Sequence, residues 1–237
     1  MIYHVRKSVR KIWARITLLS LELIVVLSAF FAALAAFVFV ARMVFLKQKG
    51  ELDATIFNYL AKYVSNVNTD VMQAFSFLGA HYFLIPANLL LVFYFLVIRK
   101  ERWYSIKVPV ISLSSLLLML VLKQFFHRDR PLVPLLQAAK GLSFPSGHAM
   151  MSSTFYGLLI YLVWRNIKNA TVKWVITILL LLVIFFIGLS RIYLRVHYPT
   201  DVMAGFCLGL IWLILSISIL NKMERISKKE IDLVVEE

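Results

Sequence analysis

Long apolar stretches alternate with short polar connections along the whole chain, and this pattern predicts membrane-spanning helices. Apolar runs of about 16 to 25 residues recur, and about 20 residues are what an α-helix needs to cross a bilayer. We interpret the pattern as six spans, at roughly 17–41, 74–98, 108–126, 149–164, 174–189 and 202–220. Because the connections are short, residues 1–237 are predicted to form one domain, an all-α polytopic membrane protein built as a six-helix transmembrane bundle.

The longest predicted connection, about 42–73, contains a segment with helical spacing of its apolar residues. In ELDATIFNYLAKYVSN, residues 51–66, the side chains of Leu52, Ile56 and Leu60 fall on one face. This spacing predicts an amphipathic helix that lies in the membrane interface, either covering a site or passing lipid to it. A loop helix without any role in chemistry explains the same pattern, so both alternatives stay open.

Three short polar segments stand where predicted spans begin or end: KQFFHRDRP at 123–131, PSGH at 145–148 and SRIYLRVHYPTD at 190–201. Their candidate site residues are three cations, two histidines, one carboxylate and two small residues, namely Lys123, Arg130, Arg191, His148, His197, Asp201, Ser146 and Gly147. The set contains no cluster of metal ligands. It is suited to phosphoryl transfer without a metal, because fixed cations can offset the charge of the transferred group.

Lys and Arg residues are distributed unevenly between the two ends of the predicted bundle. Sixteen of the 26 fall in segments that a cytoplasmic N-terminus would place on the inner side of the membrane. Inner connections of membrane proteins are enriched in these residues, so the net charge of +14 reflects orientation, and nucleic-acid binding is not expected. We therefore predict that both termini are cytoplasmic and that the three polar segments face outward.

The PSGH segment has the features of an anion site at the start of a helix. Ser146 is a suitable N-cap for the fourth span, and Gly147 lets the backbone approach a ligand closely. Free N–H groups and the helix dipole favour an anion at this position, and His148 follows in the first turn. Taken alone, the tetrapeptide is better explained as an ordinary helix start with a surface histidine.

The third polar segment combines a helix start with a histidine and a carboxylate. Pro199 suits the first position of the sixth span, which puts Asp201 in the first turn and His197 just before it. The carboxylate can hold one imidazole nitrogen and leave the other as a nucleophile. Arg191 can bind phosphate oxygens with its planar fork. A His–Asp pair that serves only stability is the alternative.

The first polar segment places Lys123 at the end of the third span and Arg130 seven residues later. A cation at that depth must extend to the interface or find an anion. The two residues are therefore either phosphate ligands or interfacial anchors. The intervening His127, Arg128 and Asp129 are interpreted as loop residues or anchors.

In combination, the three segments match the K-x6-R-P, P-S-G-H and S-R-x5-H-x3-D signature of the type 2 phosphatidic acid phosphatase superfamily, which the chain resembles over about 123–205. The resemblance implies that the phosphate oxygens are bound by Lys123, Arg130, Arg191, Ser146 and the amide of Gly147. It implies that His197 attacks phosphorus to form a phosphohistidine, oriented by Asp201, with His148 as the general acid. It implies no metal or other cofactor.

The same resemblance implies an integral membrane phosphatase that hydrolyses a terminal phosphate of a lipid phosphate or diphosphate. Undecaprenyl pyrophosphate and phosphatidylglycerophosphate are favoured as substrates, with phosphatidic acid and a lipid A phosphate as alternatives. The expected partners are this lipid and the bilayer of a bacterial inner membrane, without an obligate protein partner. Competing interpretations are a phosphotransferase that uses the same histidine and an anion transporter. A transporter would need polar residues in mid-span, and spans four to six have almost none.

Overall fold

The computed structural model describes residues 2–46, 50–135 and 140–236, with side chains described at 21, 23–46, 50–135 and 140–229. Within these ranges the chain forms helices joined by short turns, which confirms the all-α prediction. The helices are, in chain order, α1 (Ile2–Phe45), α2 (Glu51–Ala61), α3 (Asn66–Leu78), α4 (His81–Phe93), α5 (Arg102–Phe126), α6 (Gly147–Asn166), α7 (Ala170–Tyr193) and α8 (Pro199–Glu236). A π-helical turn, Tyr94–Ile98, continues α4.

Five helices in the described part of the chain are long and apolar enough to cross a membrane, judged by length and composition. They are α4 with its π-helical turn, α5, α7, and the segments Leu23–Phe45 of α1 and Pro199–Lys229 of α8. Helix α6, predicted as the span 149–164, is not among them, because polar residues such as Ser152 and Thr154 occupy its first half. The membrane-protein class is confirmed, and the count of six spans stays a prediction.

The predicted span at 74–98 is wrong at its beginning. The structure divides this region, because α3 ends at Leu78 and α4 begins at His81. Gly79 lies in the break, where an added Cβ atom would be 2.5 Å from Ile187 Cγ2 and 3.2 Å from His148 Cδ2. The backbone at this break therefore approaches α6 and α7 more closely than a residue with a side chain would allow.

Helix α2 confirms the predicted amphipathic helix over Glu51–Ala61, although the chain turns before 66 rather than continuing as helix. A new helix, α3, then begins behind Ser65, whose hydroxyl accepts a hydrogen bond from Asn68 N at 3.2 Å. One residue of α2, Asp53, is buried, while Tyr59 on the same helix is exposed. The position of α2 in the membrane interface stays a prediction.

Helix α6 is central in the bundle and packs against α8, α7 and α5. Two glycines permit its close contact with α8. An added Cβ atom at Gly205 would lie 2.7 Å from Ser146 O, and one at Gly209 would lie 2.6 Å from Met150 O. The start of α8 is thus held directly against the start of α6, and both helix starts carry predicted site residues.

Candidate active site

Two backbone hydrogen bonds join the signature segments at one end of the bundle. Ser146 N donates to Asp201 O at 3.0 Å, which connects PSGH with the first turn of α8. Ser143 N donates to Arg128 O at 2.7 Å, which connects the approach to PSGH with the segment after α5. Segments that are far apart in sequence are therefore adjacent in the structure.

His197 lies within this site with 2% of its surface exposed. Its Nε2 atom is 3.2 Å from Nη1 of Arg130, which can only donate, so Nε2 is assigned as the accepting, unprotonated nitrogen. Its Nδ1 atom is 3.3 Å from Ser143 Oγ and 3.6 Å from Asp201 Oδ2. Ser143 also donates to that Oδ2 at 2.5 Å, so a serine hydroxyl bridges the histidine and the carboxylate.

The environment of His197 favours its neutral form. Burial lowers the pKa of His197 to about 4, the positive charges of Arg130 and Arg191 contribute in the same direction, and Asp201 opposes them. Burial also lowers the pKa of Arg130, which remains a cation at neutral pH. A neutral histidine with a free electron pair on Nε2 is the form that can act as a nucleophile.

Backbone carbonyl groups accept hydrogen bonds from Lys123 and Arg130, two of the predicted phosphate ligands. Lys123 Nζ donates to Leu142 O at 2.5 Å. Arg130 donates from Nε to Gly141 O at 2.8 Å and from Nη1 to Val196 O at 2.7 Å. These contacts attach both cations to the segments that surround His197, so their charges are directed toward the same region.

Arg191 is buried and is held by a residue that the sequence pattern did not single out. Its Nη1 donates to Ser76 Oγ on α3. Its Nε atom is buried and has no hydrogen-bond partner within the described part of the chain. Because an unpaired buried donor is destabilising, this nitrogen is suited to an acceptor oxygen from a ligand.

The start of α6 has the predicted cap and opens onto a cavity. Ser146 is the N-cap residue, and its Oγ accepts from Ala149 N at 3.5 Å. Gly147 and His148 line a cavity of about 450 Å³, whose other walls are mostly apolar residues of α4 and α5. His81, the first residue of α4, lines the same cavity.

Three residues outside the predicted set also contact the site. Ser143 bridges His197 and Asp201, as described above. Arg128 lies in the loop after α5, as interpreted, and it also donates to Asp201 Oδ1 at 2.6 Å, a contact that this interpretation did not include. Asp53 of α2 accepts from Arg128 Nη2 at 2.9 Å. The FHRDRP segment indicated a cation at Arg128, whereas no local pattern indicated Asp53.

Comparison with known sequences identifies a family and relatives. The profile of the PAP2 superfamily matches residues 104–225. The chain is 31% identical over 164 residues to phosphatidylglycerophosphatase B of Bacillus subtilis (strain 168), a match that spans 68% of this chain and 79% of that protein. It is 29% identical over 119 residues to the putative undecaprenyl-diphosphatase YbjG of Escherichia coli (strain K12), spanning 48% and 56% of the two chains.

Two crystal structures share the helical arrangement. The first is a transmembrane PAP2-type phosphatidylglycerolphosphate phosphatase from Bacillus subtilis, with a TM-score of 0.72, 27% identity, and coverage of 81% of this chain and 96% of that one. The second is Aquifex aeolicus LpxE, with a TM-score of 0.55, 30% identity, and coverage of 70% and 95%. In both cases nearly the whole of the solved chain is matched.

Proposed function

This chain belongs to the PAP2 superfamily and is a membrane lipid phosphatase, and we propose that it removes a terminal phosphate from a lipid phosphate or diphosphate through a phosphohistidine at His197. The geometry of His197 is the observation that carries this proposal. Its Nδ1 faces Ser143 and Asp201, while Nε2 lies 3.2 Å from the cationic Arg130. One nitrogen is thus oriented by the protein, and the other is left beside a phosphate-binding cation.

In the proposed reaction, Nε2 of His197 attacks phosphorus in line with the leaving oxygen. The Nε2–P bond forms as the bond from phosphorus to the leaving oxygen breaks, and His148 donates a proton to that oxygen. Asp201 stabilises the proton that remains on Nδ1. Water then attacks the phosphohistidine, His148 accepts a proton from it, and inorganic phosphate is released with Nε2 restored.

We assign phosphate binding to Lys123, Arg130 and Arg191, together with Ser146 and the amide of Gly147. The Nε of Arg191 has no hydrogen-bond partner among the described residues, and this supports the assignment, because a phosphate oxygen would satisfy it. Three fixed cations can supply the charge stabilisation that metal ions supply in many phosphoryl-transfer enzymes. We therefore propose that turnover needs no metal.

The cavity beside His148 supports a lipid substrate. It reaches Gly147 and His148 at one end and is otherwise lined mainly by apolar side chains, such as Leu84, Leu113 and Leu116. The names of the relatives favour undecaprenyl pyrophosphate or phosphatidylglycerophosphate as the substrate of this chain. Phosphatidic acid and a lipid A phosphate remain alternatives. We further propose an inner-membrane location with cytoplasmic termini and an outward-facing site.

Phosphate release from the four lipids in turn, by detergent-solubilised protein with and without EDTA, tests this function. We expect release from at least one lipid in EDTA and a loss of about 10³-fold or more in His197→Ala. Full activity in His197→Ala would contradict the covalent mechanism. Loss of activity in EDTA that a divalent cation restores would contradict metal independence. Transfer of phosphate to an added alcohol, in place of release, would instead favour a phosphotransferase.

A further inference from the structure

Arg128 bridges two buried carboxylates that are far apart in the chain. Its Nη1 donates to Asp201 Oδ1 at 2.6 Å, and its Nη2 donates to Asp53 Oδ2 at 2.9 Å. Only 4% of the Asp53 side chain and none of the Asp201 side chain is exposed. The guanidinium group also lies 4.0 Å from the ring centroid of Tyr198, which restricts its orientation. The bridge is therefore shielded from water and fixed on several sides.

Asp53 also completes the N-terminus of α8. That helix begins at Pro199, and the preceding Tyr198 has no short polar side chain with which to cap it. Asp53 Oδ1 accepts from Thr200 N at 3.0 Å, and Oδ2 accepts from Thr200 Oγ1 at 2.9 Å. The carboxylate thus satisfies an N–H group that α8 cannot satisfy itself, at the positive end of the helix dipole. Because Asp201 lies in this turn, the contact also holds its backbone.

Different partners hold the two carboxylate oxygens of Asp201. Oδ2 accepts from Ser143 Oγ at 2.5 Å and from Tyr198 N at 3.0 Å, and it is the oxygen nearest to His197 Nδ1. Within the described chain, Oδ1 accepts a hydrogen bond from Arg128 alone. Without that guanidinium, a buried carboxylate oxygen would lack a donor, and the group would rotate or bind a proton. Either change alters how Oδ2 faces His197.

We propose that Arg128 and Asp53 are positioning residues for phosphoryl transfer: α2 holds Arg128, and Arg128 holds Asp201 in the orientation that supports His197. The inference rests on the proposed function, because it requires His197 to be the nucleophile. It gives α2 a direct part in positioning the site. A helix that only covers the site, or a loop helix without any role in chemistry, would have no such part. Since both residues act through Asp201, their loss should lower kcat more than it raises KM.

The test measures kcat and KM for phosphate release from the lipid that the wild type hydrolyses best, with melting temperature recorded in the same detergent. Arg128→Gln is expected to lower kcat about 10- to 100-fold and Asp53→Asn about 3- to 10-fold, with KM changed by at most about twofold. Arg128→Lys should recover part of the loss, because it keeps the charge without the fork. In an Asp201→Asn background, Arg128→Gln should change kcat by less than about twofold.

Two matched variants control for loss of charge alone. Glu51→Gln removes an exposed acid from the first turn of the same helix, and Arg102→Gln removes an exposed cation elsewhere. Both should keep wild-type kcat. Asp53→Asn retains an acceptor for Thr200 N and hence the helix cap. Its kcat therefore tests the inference even if Arg128→Gln does not fold.

Wild-type kcat in folded Asp53→Asn and Arg128→Gln would overturn the inference, even if the melting temperature falls. A full multiplicative loss on combining Arg128→Gln with Asp201→Asn would also overturn it, because the two residues would then act independently. Failure of the proposed function has a different signature: the wild type releases no phosphate from any lipid, or His197→Ala remains fully active. That result would remove the inference as well.

Discussion

A methyl group added at Gly205 is expected to push apart the two helices that carry the active site. Gly205 lies one turn after Asp201 on α8 and faces the start of α6. A Cβ atom there would be 2.7 Å from Ser146 O and 2.9 Å from the Cβ atom of Ala149. Ser146 O is a backbone atom that accepts from Met150 N at 3.0 Å, so it cannot rotate away. The helices themselves must separate.

The size of this separation follows from the contact distance. Ordinary van der Waals contact begins at 3.4 Å, so α8 must move from Ser146 by about 0.7 Å. The movement would displace His197 and Asp201 relative to Ser146 and His148. Because misplacement on the order of 1 Å can reduce turnover about 100-fold, Gly205→Ala is predicted to lower kcat about 10- to 100-fold. Overpacking should also reduce the free energy of unfolding by about 1–3 kcal/mol.

Phosphate release at saturating lipid, with melting temperature in the same detergent, measures both effects. Gly157→Ala is the matched control, because it adds a methyl group to the same helix contact. Its Cβ atom would be 2.6 Å from Leu213 Cδ2, the flexible end of a side chain that can move aside. Turnover in this control should stay within about twofold of wild type. Wild-type turnover in Gly205→Ala, or an equal loss in Gly157→Ala, would show that the spacing of α6 and α8 at Gly205 does not control turnover.

Three further predictions concern single groups. Arg191→Lys should lower kcat/KM about 10-fold or more, because Lys lacks the planar guanidinium group and its Nε donor. Steady-state kinetics measure this, and an unchanged kcat/KM would contradict it. The substrate-free protein should lose stability as pH falls from about 7 to 4. The side chain of His197 has a pKa of about 6.5 in the unfolded chain and of about 4 in the folded protein, so the unfolded chain binds more protons in this range. Melting temperature against pH checks this, and His197→Gln should reduce the slope of the curve. Glu224→Gln breaks a 2.6 Å ion pair with buried Lys107 and should lower the free energy of unfolding by about 3 kcal/mol without changing kcat; an unchanged melting temperature would contradict it.

The helix starts at the site were predictable because their causes are local. Ser146 can cap a helix and Pro199 can begin one whatever surrounds them, and the structure has α6 and α8 starting at these positions. The placement of His148 and Asp201 in first turns follows directly. The gathering of the three segments at one end of the bundle could also be expected, since each connects predicted spans on the outward-facing side of the membrane.

The break at Gly79 and the contacts of Asp53 involve residues distant in the chain. Apolar residues on both sides of Gly79 continue one hydropathy pattern, whereas in the structure the backbone at the break closely approaches Ile187 and His148. The hydrogen bond from Thr200 N to Asp53 joins residues 147 positions apart. Sequence periodicity describes neighbours along a helix, so neither feature could be read from it.

Detection of a covalent phosphoenzyme is the direct test of His197 as the nucleophile. The protein would be mixed with a lipid phosphate that carries a radiolabel in its terminal phosphate, then quenched in alkaline detergent, because phosphohistidine is labile in acid. We expect label on the wild-type protein, located at His197 by mass spectrometry, and no label on His197→Gln. Label on another residue, or steady turnover by His197→Gln, would contradict it.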